Sequence, residues 1–333
     1  MAKKLSPTRV VRKRSHKPVP PRPSTTSDSS PELPSFASPH RSAADSFFAL
    51  SELVLFHLLE ACALSTVIAL SHTSSYFRSL VKALFRSRIT SVLEHFLGHI
   101  NTSTFFALLQ DTDSAIGGST VARVLAPPVT ESWMPTNLNM YVPKGGVQKW
   151  EEFMELVAYS RAEKQPGVDR RYAYATTSHT VFESGYSGLQ ITISESVDDC
   201  TISPAVASST TLTMSVITGS TIVAMYPSLI SQRRAHNAWD SPTVAHCIQL
   251  QNRGFKHGSS TTMWTRKCGW NCPVLWRRVQ SLRGVGLFCW GGPDNVFPDN
   301  GSEGIPFTDA SMQWRLGDVC MNGKCPWSSK KWA

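Results

Sequence analysis

Ile116-Gly-Gly-Ser-Thr120, the apolar run Val121–Leu125 and, beyond Pro127-Pro128, the alternating stretch Asn137-Leu-Asn-Met-Tyr-Val142 decide the fold of this 333-residue chain. Paired glycines reach backbone angles closed to other residues, so Gly117-Gly118 reads as a tight turn that opens a new apolar run over Val121–Leu125. The double proline, with no amide hydrogens to give, breaks that run. Asn137–Val142 alternates polar and apolar side chains like a half-buried strand and stops at Pro143-Lys-Gly-Gly146. Working outward, Trp150, Phe153, Met154 and Val157 have helical spacing within 148–160, and Gly188-Leu-Gln-Ile-Thr-Ile-Ser194 alternates as a second strand. Leu212–Met225 reads as a strand or the start of a buried helix. Upstream, Phe105, Phe106, Leu108 and Leu109 close a helix. Strands alternating with helices over 104–245 predict an α+β (mixed α/β) fold.

Ahead of this region, residues 46–100 read as helical. Leu53, Phe56 and Leu59, then Leu64, Val67 and Leu70, then Phe77, Leu80, Val81, Leu84 and Phe85 recur at three- and four-residue steps. The run from Leu53 to Leu70 is long enough to cross a bilayer, and a membrane anchor through 53–70 stands as an alternative. Glu60 near its middle would be costly in lipid, so a buried helical hairpin and no membrane contact is the reading preferred.

Charge separates the chain further. Lys and Arg number 33 against 24 Asp and Glu, a net +9. Eight of the basic residues (Lys3, Lys4, Arg9, Arg12, Lys13, Arg14, Lys17, Arg22) fall in residues 1–24 with no acid, which leaves the rest at 25 against 24, or +1. Residues 1–45 also hold eight of the 21 prolines and read as a disordered arm. Arg12-Lys13-Arg14 there has the form of a nuclear address. A nearly neutral body disfavours a duplex-binding face. Eight cysteines are too few for a disulfide scaffold of this length, and the first residues carry no apolar signal segment, so an intracellular protein, nuclear or cytoplasmic, is expected.

The Gly118-Ser119 turn followed by Asn137-Leu-Asn139 resembles the pattern of the nucleotidyltransferase superfamily. In that pattern a Gly-Ser turn opens a helix whose amides cradle a triphosphate. An Asp-x-Asp pair on the next strand clamps Mg²⁺, because residues i and i+2 share a face. The chain from about 50 to 270 also resembles a large group of mushroom proteins with an F-box-like start and a degenerate nucleotidyltransferase-like middle. The stretches that carry this are Phe105–Thr112, Ile116-Gly-Gly-Ser-Thr120, Pro135–Pro143, Glu195-Ser-Val-Asp-Asp199, Pro204 and Trp239. The departure lies where the metal would sit: both carboxylates stand as amides, Asn137 and Asn139. Glu195 falls where a third carboxylate is expected. The resemblance therefore implies a small mixed sheet flanked by helices and a degenerate nucleotide or metal site made of Gly118, Ser119, Asn137, Asn139 and Glu195, with no catalytic residue. The enzyme alternative is Mg²⁺-dependent nucleotidyl transfer from a nucleoside triphosphate with acids supplied by Glu131, Asp111 or Asp113.

Leu50-Ser-Glu-Leu-Val-Leu-Phe-His-Leu-Leu59, Leu64–Ser71 and Ser75-Tyr-Phe-Arg-Ser-Leu-Val81 are similar to an F-box. That resemblance implies docking on a Skp-type adaptor of a ubiquitin ligase, with Leu53, Phe56 and Leu59 as anchors. The plain alternative is a helical cap packed on the next domain.

Near the C-terminus, Cys268-x3-Cys272 and Cys320-x4-Cys325, with 47 residues between the pairs, fall near zinc-ligand spacing. Cys289 and His257 are spare ligands, and Cys62 and Cys247 look like core. No cofactor other than zinc is implied. Trp264, Trp270, Trp276 and Trp290 line up as a stacking groove or, more simply, as buried aromatics. Gly-x-Ser-x-Gly, a phosphate-binding Walker loop and His-Glu-x-x-His are all absent from the sequence. The expected organisation is a basic arm (1–45), an F-box-like module (46–100), a transferase-like domain (101–245) and a Cys/Trp-rich region (246–333). The expected role is non-catalytic protein interaction.

Overall fold

The computed structural model describes residues 50–126, 133–163, 165, 170–238, 244–258, 261, 266–278, 285–290, 313–317 and 319–328. The arm at 1–45, Glu131, Trp239 and Trp264 lie outside them.

Three helices come first: α1 (Glu52–Ala61), α2 (Leu64–Ser71) and α3 (Ser75–Asp111). Ser51 caps α1 by accepting from the Val54 amide at 3.4 Å, and Ser74 caps α3 by accepting from Phe77 at 3.2 Å. The run from Leu53 to Leu70 is therefore not one rod. It breaks at Cys62-Ala63, both extended. Among the described residues no helix is long and apolar enough to cross a membrane. Gly98 takes φ 69° inside α3 and kinks it, a conformation open to glycine at little cost.

The sheet follows. β1 (Ala115–Gly117) leads into α4 (Gly118–Leu125), then β2 (Asn137–Val142), α5 (Val147–Leu156), β3 (Tyr159–Arg161), α6 (Arg170–Ala175), β4 (Thr176–Ser184) and β5 (Gln190–Ser196). Then come α7 (Ile202–Val206), β6 (Val216–Thr218), β7 (Thr221–Ala224), α8 (Pro227–Ser231), β8 (Arg234–His236), α9 (Val244–Asn252), β9 (Lys256–Gly258), β10 (Arg277–Arg278), β11 (Gly286–Cys289) and β12 (Gln313–Trp314). Eight strands form one sheet in the order β11-β7-β6-β1-β2-β5-β4-β3. Only β2 and β5 pair parallel within it, with Asn139 opposite Thr192 and Val142 opposite Glu195. The fold is thus α+β with a mixed, mostly antiparallel sheet.

Strand alternation gives the sheet two apolar faces. Ile116, Leu138, Met140, Val142, Ile191, Ile193, Ile217 and Ile222 belong to one core with the helical residues Phe85, Phe105, Val121 and Trp150. The Trp150 indole donates to Ser114 Oγ at 2.9 Å, so its burial leaves no orphan donor. The opposite face carries Ala115, Tyr141, Val216, Val223 and Met225, packed with Ile202 and Ala205 of α7, Leu229 of α8, and Trp314 and Leu316.

Residue 100 lies inside α3 and residue 245 inside α9, and the described residues from Ser51 onward belong to one compact unit. Helical spacing over 148–160 ran past the end of α5 at Leu156 into β3 at Tyr159, and spacing carries no information on whether consecutive elements share a core.

Candidate functional sites

The Gly-Ser turn and the Asn pair do meet. Gly117 lies opposite Asn139 in the β1–β2 ladder. Gly118 takes φ +67° at the first turn of α4, and a Cβ there would collide with the Asn139 amide. Asn137 and Asn139 share one face of β2, and Asn137 Nδ2 donates to Asn139 Oδ1 at 3.2 Å. On the parallel neighbour, Thr192 donates its hydroxyl to Asn137 Oδ1 at 3.0 Å. Two hydrogen bonds thus link two amides and a hydroxyl beside the turn. Ser119, the residue after Gly118, is half-buried on α4.

Glu195 is not part of this group. It lies three residues beyond Thr192 on β5 and has the opposite parity, that of Ile191 and Ile193. Its carboxylate accepts from the Gly145 amide at 2.6 Å, Thr177 Oγ1 at 2.8 Å and Ser178 Oγ at 3.0 Å. Partial burial pushes this carboxyl up, but the Gly145 amide, the two hydroxyls and the Lys144 charge outweigh it, and the group sits below its ordinary value. Glu195 therefore anchors the Pro143–Gly146 turn to β4 and β5. The side chain that occupies the third position beside the Asn pair is Thr192. Only the β2–β5 register reveals this, and local sequence does not encode it. Asp111 pairs with Lys149 at 2.6 Å, and Asp113 sits at φ 48° in the turn before β1.

On α1 the expected anchors divide between two faces. Leu53 is 65% exposed, Phe56 is half-buried, and Leu59 is buried in the core beside Leu55. Leu59 is thus an internal contact. The outward stripe of α1 is Leu53, Val54 and Leu58, which follow one another at helical steps.

The four cysteines converge. Cys268, Cys272, Cys320 and Cys325 are buried, and their sulfurs all lie within 4.8 Å of one another. Cys268 and Cys320 are 3.7 Å apart, and Cys272 and Cys325 are 3.4 Å apart. A tetrahedron with metal–sulfur bonds of about 2.3 Å has edges of about 3.8 Å, so the set has the dimensions of a four-thiolate metal cage. Two short loops build it. Gly269, at φ 54°, turns the first between Cys268 and Cys272. In the second, buried Asn322 holds the loop closed, since its Oδ1 accepts from the Lys324 amide at 3.0 Å and its backbone oxygen from Cys325 at 2.9 Å.

Donors surround the sulfurs. Asn322 Nδ2 points to Cys268 Sγ at 3.1 Å, and the amides of Val274 and Trp327 point to Cys272 and Cys325. Such bonds orient thiolates and spread their charge. Burial pushes the Cys268 thiol up to about 12 and raises Cys272 as well. Four thiolates in so dry a place need a cation, and this group can hold a metal ion. The proposed spares lie apart. Cys289 is on β11, and His257 turns its Nδ1 to Cys247 Sγ at 3.6 Å and its Nε2 to Asn237.

The clasp made by these loops is tied to the second face of the sheet. β10 pairs with β12, Trp314 and Leu316 enter the lower core, and the buried Arg277 guanidinium stacks 4.1 Å over Tyr226. No family model, curated protein or solved structure matches the chain.

Proposed function

We propose that this chain is a non-catalytic interaction protein. In this reading it is a nucleotidyltransferase-like scaffold without its metal clamp, held together at its C-terminal part by structural zinc, and it offers α1 to a Skp-type adaptor of a ubiquitin ligase. One observation carries the non-catalytic half. Beside the Gly-Ser turn, Asn137, Asn139 and Thr192 present neutral oxygens, and the two amide oxygens already accept, one from the Asn137 amide nitrogen and one from the Thr192 hydroxyl. A Mg²⁺ ion bridging a triphosphate draws its affinity from carboxylates, and the three side chains that meet here are all neutral. Zinc is the metal suited to the cysteine cage, because tetrahedral thiolate sets favour it over hard cations.

The docking half is supported by the outward stripe of α1. Leucines left in water on a capped helix, over a face whose opposite side is fully packed, suit helix-in-groove recognition. The test is co-purification of the full chain with a Skp-type adaptor. The expected result is retention by the wild type and loss by the double variant L53D/L58D, with melting temperature kept. No retention by the wild type would end the adaptor reading. Divalent-dependent incorporation from any nucleoside triphosphate would end the non-catalytic one.

A further inference from the structure

The near-neutral body hides a segregation of charge. Between Asp240 and Asp294 the sequence has no Asp or Glu and seven Lys or Arg: Arg253, Lys256, Arg266, Lys267, Arg277, Arg278 and Arg283. Residues 25–333 total +1, so the remainder of that body carries −6. Of these seven, Lys256 lines a cavity of about 310 Å³ together with Arg234, His236, His257, Gln232 and the apolar Leu229 of α8, with no acid among the described residues of its wall. Ser228, next to Leu229 on α8, ties that wall to the metal clasp by donating its Oγ to Asn271 Oδ1 at 3.3 Å. Asn271 neighbours Trp270, which stands out of the first cysteine loop and is 53% exposed; Trp276, just past that loop, is 55% exposed. Arg315 lies 4.7 Å over the Trp276 ring, and Arg266 and Lys267 lead exposed into Cys268.

We infer that this face binds single-stranded nucleic acid. The cationic cavity and the Arg266-Lys267 pair take backbone phosphates, and Trp270 and Trp276 offer ring faces to unstacked bases. A basic groove beside exposed aromatics has the two features that sequence-tolerant single-strand binding needs. A duplex keeps its base faces covered and gains nothing from the indoles, so the single strand is the partner this surface favours. The inference deepens the interaction reading and relies on the zinc clasp to hold the Trp270 loop in place.

The test uses the zinc-loaded full chain and fluorescently labelled twelve-residue oligo-dT and oligo-U, with zinc content measured on every sample. Wild type is expected to bind both strands more tightly than a duplex of equal length. W270A and W276A should each weaken binding at least about fivefold with zinc retained. The triple variant K256E/R266E/K267E should weaken it further and lower the salt slope by about 0.7 for each phosphate it no longer neutralises. Equal binding of duplex, undiminished binding in these variants (which would assign it to the basic arm), equal competition by polyglutamate, or tighter binding to anionic phosphatidylserine vesicles would each overturn the inference. Loss of zinc from wild type would instead strike the clasp itself.

Discussion

At the scale of single residues, Gly118 and Glu195 show what strand parity decides. Gly118 holds a positive φ and leaves no room for a Cβ against the Asn139 side chain. Gly118→Ala is therefore expected to cost about 1–3 kcal/mol and to lower the melting temperature by at least about 2 °C. An unchanged melt would mean that the turn is not built as described. Glu195 makes a pH-dependent contribution. Its folded value is depressed by the Gly145 amide, Thr177, Ser178 and Lys144 against the opposing pull of burial. A depressed carboxyl stabilises above its unfolded pKa and loses that contribution as pH falls through the folded value. The gap in melting temperature between wild type and Glu195→Gln should thus be open at about pH 7 and should close below about pH 4. A gap independent of pH would show that the carboxylate charge plays no part. The Gly-Ser turn and the Asn pair were legible because they are local motifs. Thr192 beside them was not, because a one-residue change in register exchanges every side chain between the two faces.

At the scale of elements, α1 carries two apolar faces with opposite fates. Leu59 is 3% exposed and Leu53 is 65% exposed. Leu59→Ala should cost about 2–5 kcal/mol in urea unfolding, whereas Leu53→Ala should stay within about 0.5 kcal/mol. Equal costs would mean that Leu53 is buried and has no free face to offer. The helical spacing of Leu53, Phe56 and Leu59 was readable. The direction of each face was not, because both stripes of α1 are apolar and hydropathy alone cannot rank them. The same limit explains the membrane alternative. The largely apolar run from Leu53 to Leu70 looks continuous until Cys62 and Ala63 turn extended and split it into α1 and α2.

At the scale of the whole molecule, long-range closure is what the sequence shows least. Helices before residue 100 and strands after it share one core, and Phe85 near the start of α3 meets Phe288 on β11 with ring centroids 5.0 Å apart. The cysteine pairs were visible as spacings, but nothing local shows that 47 intervening residues bring them together. A metal at that point closes a long loop and couples its own binding to the folding of the clasp. Trp270 stands in the first of these loops and Trp276 just past it, and the nearby Arg277 stacks on Tyr226 while Trp314 and Leu316 enter the core on the sheet's second face.

The most direct measurement is therefore elemental analysis with native mass spectrometry of the full chain purified without chelator. One zinc ion per chain is expected in the wild type and none in C272S/C325S, with a lower melting temperature on its removal. Wild-type protein that carries no stoichiometric metal when zinc is supplied, or a C272S/C325S variant that keeps its zinc, would contradict the four-thiolate clasp.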